Sequence, residues 1–334
     1  MTAGTGPAVR AGRWTAVAAG CCGAALLVIR LAWMLRAFPA AAALAVAVQV
    51  PVLAAGLWLA RLAHPVRSPP ASWSAAAMAW GMTAAAGCAL VADGGLSELW
   101  ARSAGVAFAS RWSVALSAPL NEEILMAGGV ALIAVMAPLA VRDALDGMIY
   151  GALTGLGFQA IENITRGITA ILRTGATDPA QAVIQPALLR AGLTVPAPHW
   201  ATAAVAGAGI GCLAARGIRG AVPASALLGT AIAIHLAADL PGAAAAARGL
   251  SGLAAVTAVY VIVRHSYLAR IGNVLDARSA FGMSSERDTA LLLTRRGRRR
   301  ARRALPPGPE RDQLAGRQQA MLRAIEDQAA GLAS

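Results

Sequence analysis

The sequence contains no lysine; all 29 of its basic residues are arginine. Charge of either sign is scarce, at 13% of residues, where a soluble domain usually carries about 25%. Aromatic residues make up only 4%. Such a chain cannot stay unfolded by charge repulsion, and it makes a poor candidate for a soluble enzyme. The four cysteines, Cys21, Cys22, Cys88 and Cys212, lie in apolar stretches without CxxC spacing. That excludes a disulfide framework and a zinc ribbon, and leaves the thiols as small apolar filler. The sequence also lacks HExxH, the zinc-binding helix of many metalloproteases, and the GxGD motif of intramembrane aspartyl proteases.

Apolar length takes the place of charge. Of the 334 residues, 57% are hydrophobic, the mean hydropathy is +0.60 and the net charge is +13. About 20 consecutive apolar residues cross a bilayer as a helix. Runs of that kind fall at 14–35, 39–59, 73–91, 112–139, 146–168, 198–214, 222–239 and 250–263. The fold class expected is an all-α polytopic membrane protein with about eight transmembrane helices and a basic cytoplasmic C-terminal tail. Residues 1–13 form a cytoplasmic N-terminus, 14–265 the membrane domain and 266–334 the tail. The polar-interrupted stretch 172–196 reads as a re-entrant or interfacial segment.

Arginine distribution orients the chain. With eight spans, Arg10, Arg13, Arg61, Arg67, Arg142, Arg216, Arg219 and the tail share the cytoplasmic side, so both termini are expected there. The densest basic run, Arg295 to Arg303, follows a membrane domain. It is read as contacting anionic lipid headgroups rather than nucleic acid. Leu314, Met321, Leu322 and Ile325 then recur at helical spacing, predicting a short amphipathic helix on the membrane surface or on a partner.

Ionisable groups inside spans are costly and mark function. Here they gather in four consecutive spans: Asn121, Glu122 and Glu123; then Glu162 and Asn163; then His199; then His235 and Asp239. Phe158 and Glu162 are four apart and share a helix face, as do His235 and Asp239, where the aspartate could fix the imidazole tautomer. Glu122 and Glu123 point about 100° apart, so only one can face a given partner. Gly151, Gly155 and Gly157 would let another helix approach closely. The topology delivers all these groups to the outer half of the membrane, which predicts one shared site. A carboxylate in a desolvated cavity can act as general base on water; His and Asn can hold an oxyanion or a metal. That chemistry is peptide hydrolysis. A proton-coupled transporter or channel is the alternative from another class, but it would favour inverted repeats, and none is visible.

Four sequence segments carry a resemblance. Ala118-Pro119-Leu120-Asn121-Glu122-Glu123, then Tyr150-Gly151-x3-Gly155-x-Gly157-Phe158-x3-Glu162-Asn163, then His199 and His235-x3-Asp239, resemble the PrsW family of intramembrane proteases in order and interval. The resemblance centres on a core of about 112–240. It implies a membrane peptidase that makes an extracytoplasmic cut in single-span proteins such as anti-sigma factors. It implies catalytic roles for Glu122, Glu123, Glu162, His199 and His235, supported by Phe158, Asn163 and Asp239. His199, His235 and Glu162 could hold zinc, or a Glu–His pair could activate water unaided; the residues leave both open. One position departs from the pattern: Met126 stands where the family usually has a basic residue, so an inactive protease-like scaffold is a further alternative.

Overall fold

The computed structural model describes residues 6–173, 178–184, 199–241, 245–280 and 294–329, and every regular element among them is helical. Helix α1 spans Pro7–Ala37 and α2 Pro39–Ala63. Helix α3 runs over Ala71–Ala104 with a π-helical turn at Gly81–Ala85, followed by α4 (Val106–Met136) and α5 (Ala144–Arg173). Helices α6 (His199–Arg216) and α7 (Ala221–Asp239) form a hairpin through a 3₁₀ turn, and α8 spans Ala245–Ala280. Two tail helices follow, α9 (Arg295–Arg303) and α10 (Pro309–Ala329). The stretch 172–196 lies largely outside the described residues, and its proposed re-entrant character with it.

Among the described residues, six segments are long and apolar enough to cross a membrane: α1, α2, α3, α4, the α6–α7 hairpin taken as one, and Gly249–Ala277 of α8. The chain is therefore a polytopic membrane protein. Helix α5 is not among the six, because it carries Gln159, Glu162, Asn163 and Arg166. Two boundaries differ from the sequence reading. Helix α3 continues past residue 91, so Asp93 and Ser97 sit on a helix rather than in an external loop. Helix α8 continues past residue 265, because Tyr267, Ile271 and Leu275 are buried in the core.

Successive helices reverse direction. At the α3–α4 reversal Gly105 has φ 90°, a conformation open to glycine and strained for other residues. Helices α5 and α6 approach so closely that a Cβ on Gly151 would overlap the carbonyl oxygen of Ala203, and one on Gly155 that of His199. Contact at backbone distance is how small residues bind membrane helices, where no hydrophobic force separates helix from lipid.

The tail folds back onto the chain. Arg295 donates to the carbonyls of Arg61 and His64 at 2.6 and 2.7 Å, satisfying acceptors in the last turn and at the cap of α2, and Arg298 donates to Val66 O. His64 Nδ1 accepts from the backbone N–H of Val66 and Arg67 at 3.3 and 3.1 Å. Burial, reinforced by the guanidinium of Arg67, holds this imidazole well below the ordinary histidine range. Glu326 on α10 accepts from Arg142 at 3.1 Å and from Tyr267 at 2.9 Å, and Ile325 joins the core beside Tyr267. The amphipathic helix expected on a membrane surface or partner thus packs Ile325 and, in part, Leu322 against its own chain, while Met321 stays exposed.

Removing Glu326 should loosen this clasp. Losing buried charge-assisted bonds costs roughly 1.5–3 kcal/mol, which corresponds to about 10- to 100-fold in opening. Limited proteolysis between α9 and α10 should accelerate by that factor in Glu326→Ala. An unchanged cleavage rate would show that α10 is held by packing alone.

Candidate active site

Four helices bring the intramembrane polar residues together, and the backbone dictates which side of each is presented. Glu122 and Glu123 lie midway along α4, just beyond Pro119, and both are buried. Glu162 comes from α5, His199 opens α6, and His235 and Asp239 lie in the last turns of α7.

The two adjacent glutamates part as the helix geometry requires. Glu123 is fully buried and its Oε1 receives His235 Nδ1 at 2.9 Å. Glu122 turns into the cavity, with Oε2 3.5 Å from His199 Nδ1 and 3.7 Å from His235 Nε2. Glu162 Oε2 receives His199 Nε2 at 2.6 Å. An ionised carboxylate only accepts, so an imidazole that donates to its glutamate leaves its other nitrogen for the centre. That other nitrogen is Nδ1 of His199 and Nε2 of His235. The rings stack edge-on at a centroid distance of 4.9 Å, and Phe158 packs against His199 at the same distance.

Glu122 Oε2, His199 Nδ1 and His235 Nε2 all lie within 4.8 Å of one another. Glu122 Oε2 and His199 Nδ1 are buried with no hydrogen-bond partner among the described residues. Leaving buried polar atoms unpaired is costly. The Glu–His separations of 3.5 and 3.7 Å are close to the ligand–ligand edge, roughly 3.4 Å, of a tetrahedral site with metal–ligand bonds near 2.1 Å. Two neutral imidazoles and a carboxylate, each imidazole backed by its own carboxylate, are a donor set suited to a divalent metal such as zinc. The buried Glu/His/His cluster could bind a metal.

Among the described residues, the three side chains close enough together to hold a metal are Glu122, His199 and His235. Glu162, a candidate ligand from the sequence, meets the other nitrogen of His199. His235 meets a carboxylate at each nitrogen: Glu123 Oε1 lies 2.9 Å from Nδ1 and Asp239 Oδ2 3.4 Å from Nε2. Asn163 is not in the cluster: it donates to Gln49 Oε1 on α2 at 3.2 Å. Met126 is fully buried with Phe158 and Ala203 in an apolar cluster.

A cavity of about 440 Å³ leads from Glu122, Phe158 and Glu162 past Asp93, Ser117, Ser113 and Ser97. Sequence reasoning missed Asp93, which accepts from Asn121 Nδ2 at 3.0 Å. Its signal was the i,i+4 spacing Asp93–Ser97, legible only once the helix is known to continue. Arg166 was not singled out either; it donates to Glu162 Oε1 at 2.6 Å.

Comparison with known proteins agrees with this geometry. A family model described as PrsW family intramembrane metalloprotease matches residues 69–265, which takes in α3 to α7, the first part of α8 and every residue of the cluster. No curated protein and no solved structure matches the chain.

Proposed function

The chain belongs to the PrsW family of intramembrane metalloproteases, and from that premise we propose that it cuts single-span membrane proteins, such as anti-sigma factors, at or just outside the outer leaflet. The observation carrying this reading is the convergence of Glu122, His199 and His235 beside a cavity that Glu122 lines and that extends to Ser97 on α3 and Ser113 on α4.

In this reading Glu122 Oε2, His199 Nδ1 and His235 Nε2 hold the metal. When bound, the ion would polarise the scissile carbonyl and lower the pKa of water. The protein's own groups do the rest. Glu162 and Glu123 hold the two imidazoles in the tautomers that face the centre. Asp239, beside His235 Nε2, is the carboxylate placed to take a proton from the attacking water and return it to the leaving amine. The apolar cavity wall of Leu27, Ala86, Leu90 and Ile161 shields the reaction from bulk solvent and strengthens each of these electrostatic contacts.

Co-expression with tagged single-span membrane proteins tests the reading directly. Wild type should release a fragment that Glu122→Ala does not; identical fragments from both would overturn it.

The same proposal includes eight crossings and cytoplasmic termini. Helices α1 to α8 alternate in direction, and the Arg10–Arg13, Arg61–Arg67, Arg142 and Arg216–Arg219 pairs or sites fall at the end of the bundle where the tail docks. Arg296, Arg299, Arg300 and Arg303 remain exposed there for anionic headgroups. Reporter fusions after Ser334 and at the α3–α4 turn at Gly105 should report opposite sides of the membrane. Equal sidedness would refute the eight-span topology.

A further inference from the structure

Arg166 lies one turn beyond Glu162 on α5. It reaches the same carboxylate oxygen with both arms of its guanidinium: Nε donates to Glu162 Oε1 at 2.6 Å, and Nη2 closes on the same atom. The other oxygen, Oε2, holds His199 Nε2 at 2.6 Å, while His199 Nδ1 faces Glu122 and His235. Among the described residues lining the cavity, Arg166 is the only lysine or arginine, set against Asp93, Glu122 and Glu162.

From this chain of contacts we infer that Arg166 is a positioning residue for the metal ligand His199, acting through Glu162. The inference rests on the metal reading above. A glutamate has three rotatable bonds, and one that borders an open cavity has water as a rival partner for each oxygen. A guanidinium engaging Oε1 leaves Oε2 directed at His199. Glu before Arg at i,i+4 is the favourable order on a helix. The planar fork of arginine fixes orientation in a way that the point charge of lysine cannot. Arg166 is also the half-exposed partner, with its side chain 51% accessible against 13% for Glu162. It can therefore keep part of its hydration while the carboxylate it holds stays inside. With Glu162 held, the proton of His199 stays on Nε2 and the Nδ1 lone pair stays directed at the centre.

The test uses the purified full-length protein in detergent, stripped of metal and titrated with zinc against a chromophoric chelator. Arg166→Met should weaken zinc binding about 10- to 100-fold, the effect of losing an outer partner of a metal ligand. Arg166→Lys should recover part of that loss, and the metal-free Tm of both should stay near wild type. Arg102→Met, which removes an exposed arginine from a surface pair with Glu98, should leave zinc affinity unchanged. The inference is overturned if Arg166→Met binds zinc like wild type. It is equally overturned if the loss merely tracks a fall in metal-free Tm, or if only the KM for substrate rises. His199→Ala separates the two levels of the argument: zinc affinity unaffected by that variant would defeat the metal reading itself.

Discussion

Glu122→Gln should abolish cleavage while leaving the protein folded. Glutamine matches glutamate in volume and still hydrogen-bonds, so the packing around Pro119 and Ala118 is preserved. What it loses is the anionic oxygen that faces His199 Nδ1 and His235 Nε2 at 3.5 and 3.7 Å. A neutral amide is a much weaker ligand for a hard divalent ion. Losing even an outer partner of a metal ligand costs about 10- to 100-fold in affinity or activity, and losing a ligand itself costs more. The expected result is cleavage at least a hundredfold slower, with a Tm near wild type. Neutralising Glu123 should act differently. Its Oε1 touches His235 and the residue is fully buried away from the cavity, so Glu123→Gln should weaken metal affinity in the 10- to 100-fold range. If Glu122→Gln cleaves at the wild-type rate while Glu123→Gln does not, the assignment of the adjacent pair is reversed.

Gly151→Leu should be the most damaging single change outside the polar cluster. A Cβ at this position would overlap the carbonyl oxygen of Ala203 on α6. The obstacle is backbone, which no rotamer change removes, so α5 and α6 must separate along their length. Overpacking a core typically costs about 1–3 kcal/mol, and more when the backbone has to move. The consequence reaches the site, because α5 carries Glu162 and α6 carries His199, and the two are joined at 2.6 Å. The protein should either fail to accumulate or accumulate with its zinc affinity lost. Gly229→Ala provides the contrast. Gly229 lies exposed on α7 with nothing within 4 Å of an added Cβ, and alanine is better than glycine in a helix by roughly 0.5–1 kcal/mol. A wild-type Tm for Gly151→Leu would mean that the helices are not in backbone contact.

Met126 bears on the inactive-scaffold alternative. It is fully buried among Phe158, Ala203 and Ala85 in an apolar cluster, and both glutamates beside it have histidine neighbours of their own. Their placement does not depend on a charge at residue 126.

Much of this protein was legible before any coordinates. Long apolar runs forced helices, since backbone groups in lipid must be paired within their own segment. Polar residues inside those runs marked the site, because each is costly unless used. The i,i+4 spacing of Phe158 with Glu162 and of His235 with Asp239 correctly placed each pair on one face. Periodicity is a local property, and these statements needed nothing more.

The remainder depended on distances between segments far apart in sequence. Which of Glu122 and Glu123 meets the cavity follows from the rotation of α4 about its axis, and packing against α3, α6 and α7 sets that rotation. Whether Glu162 ligates or orients follows from which nitrogen of His199 it meets, a matter of a few ångströms decided by the glycine contact of α5 with α6. The place of Asp93 on the cavity wall, and the return of α10 onto Arg142 and Tyr267, depend on contacts outside each helix. Composition and spacing determined the helices and the chemistry available to them; only the tertiary packing decided which atom faces which, because side-chain roles depend on angles and distances that no single helix contains.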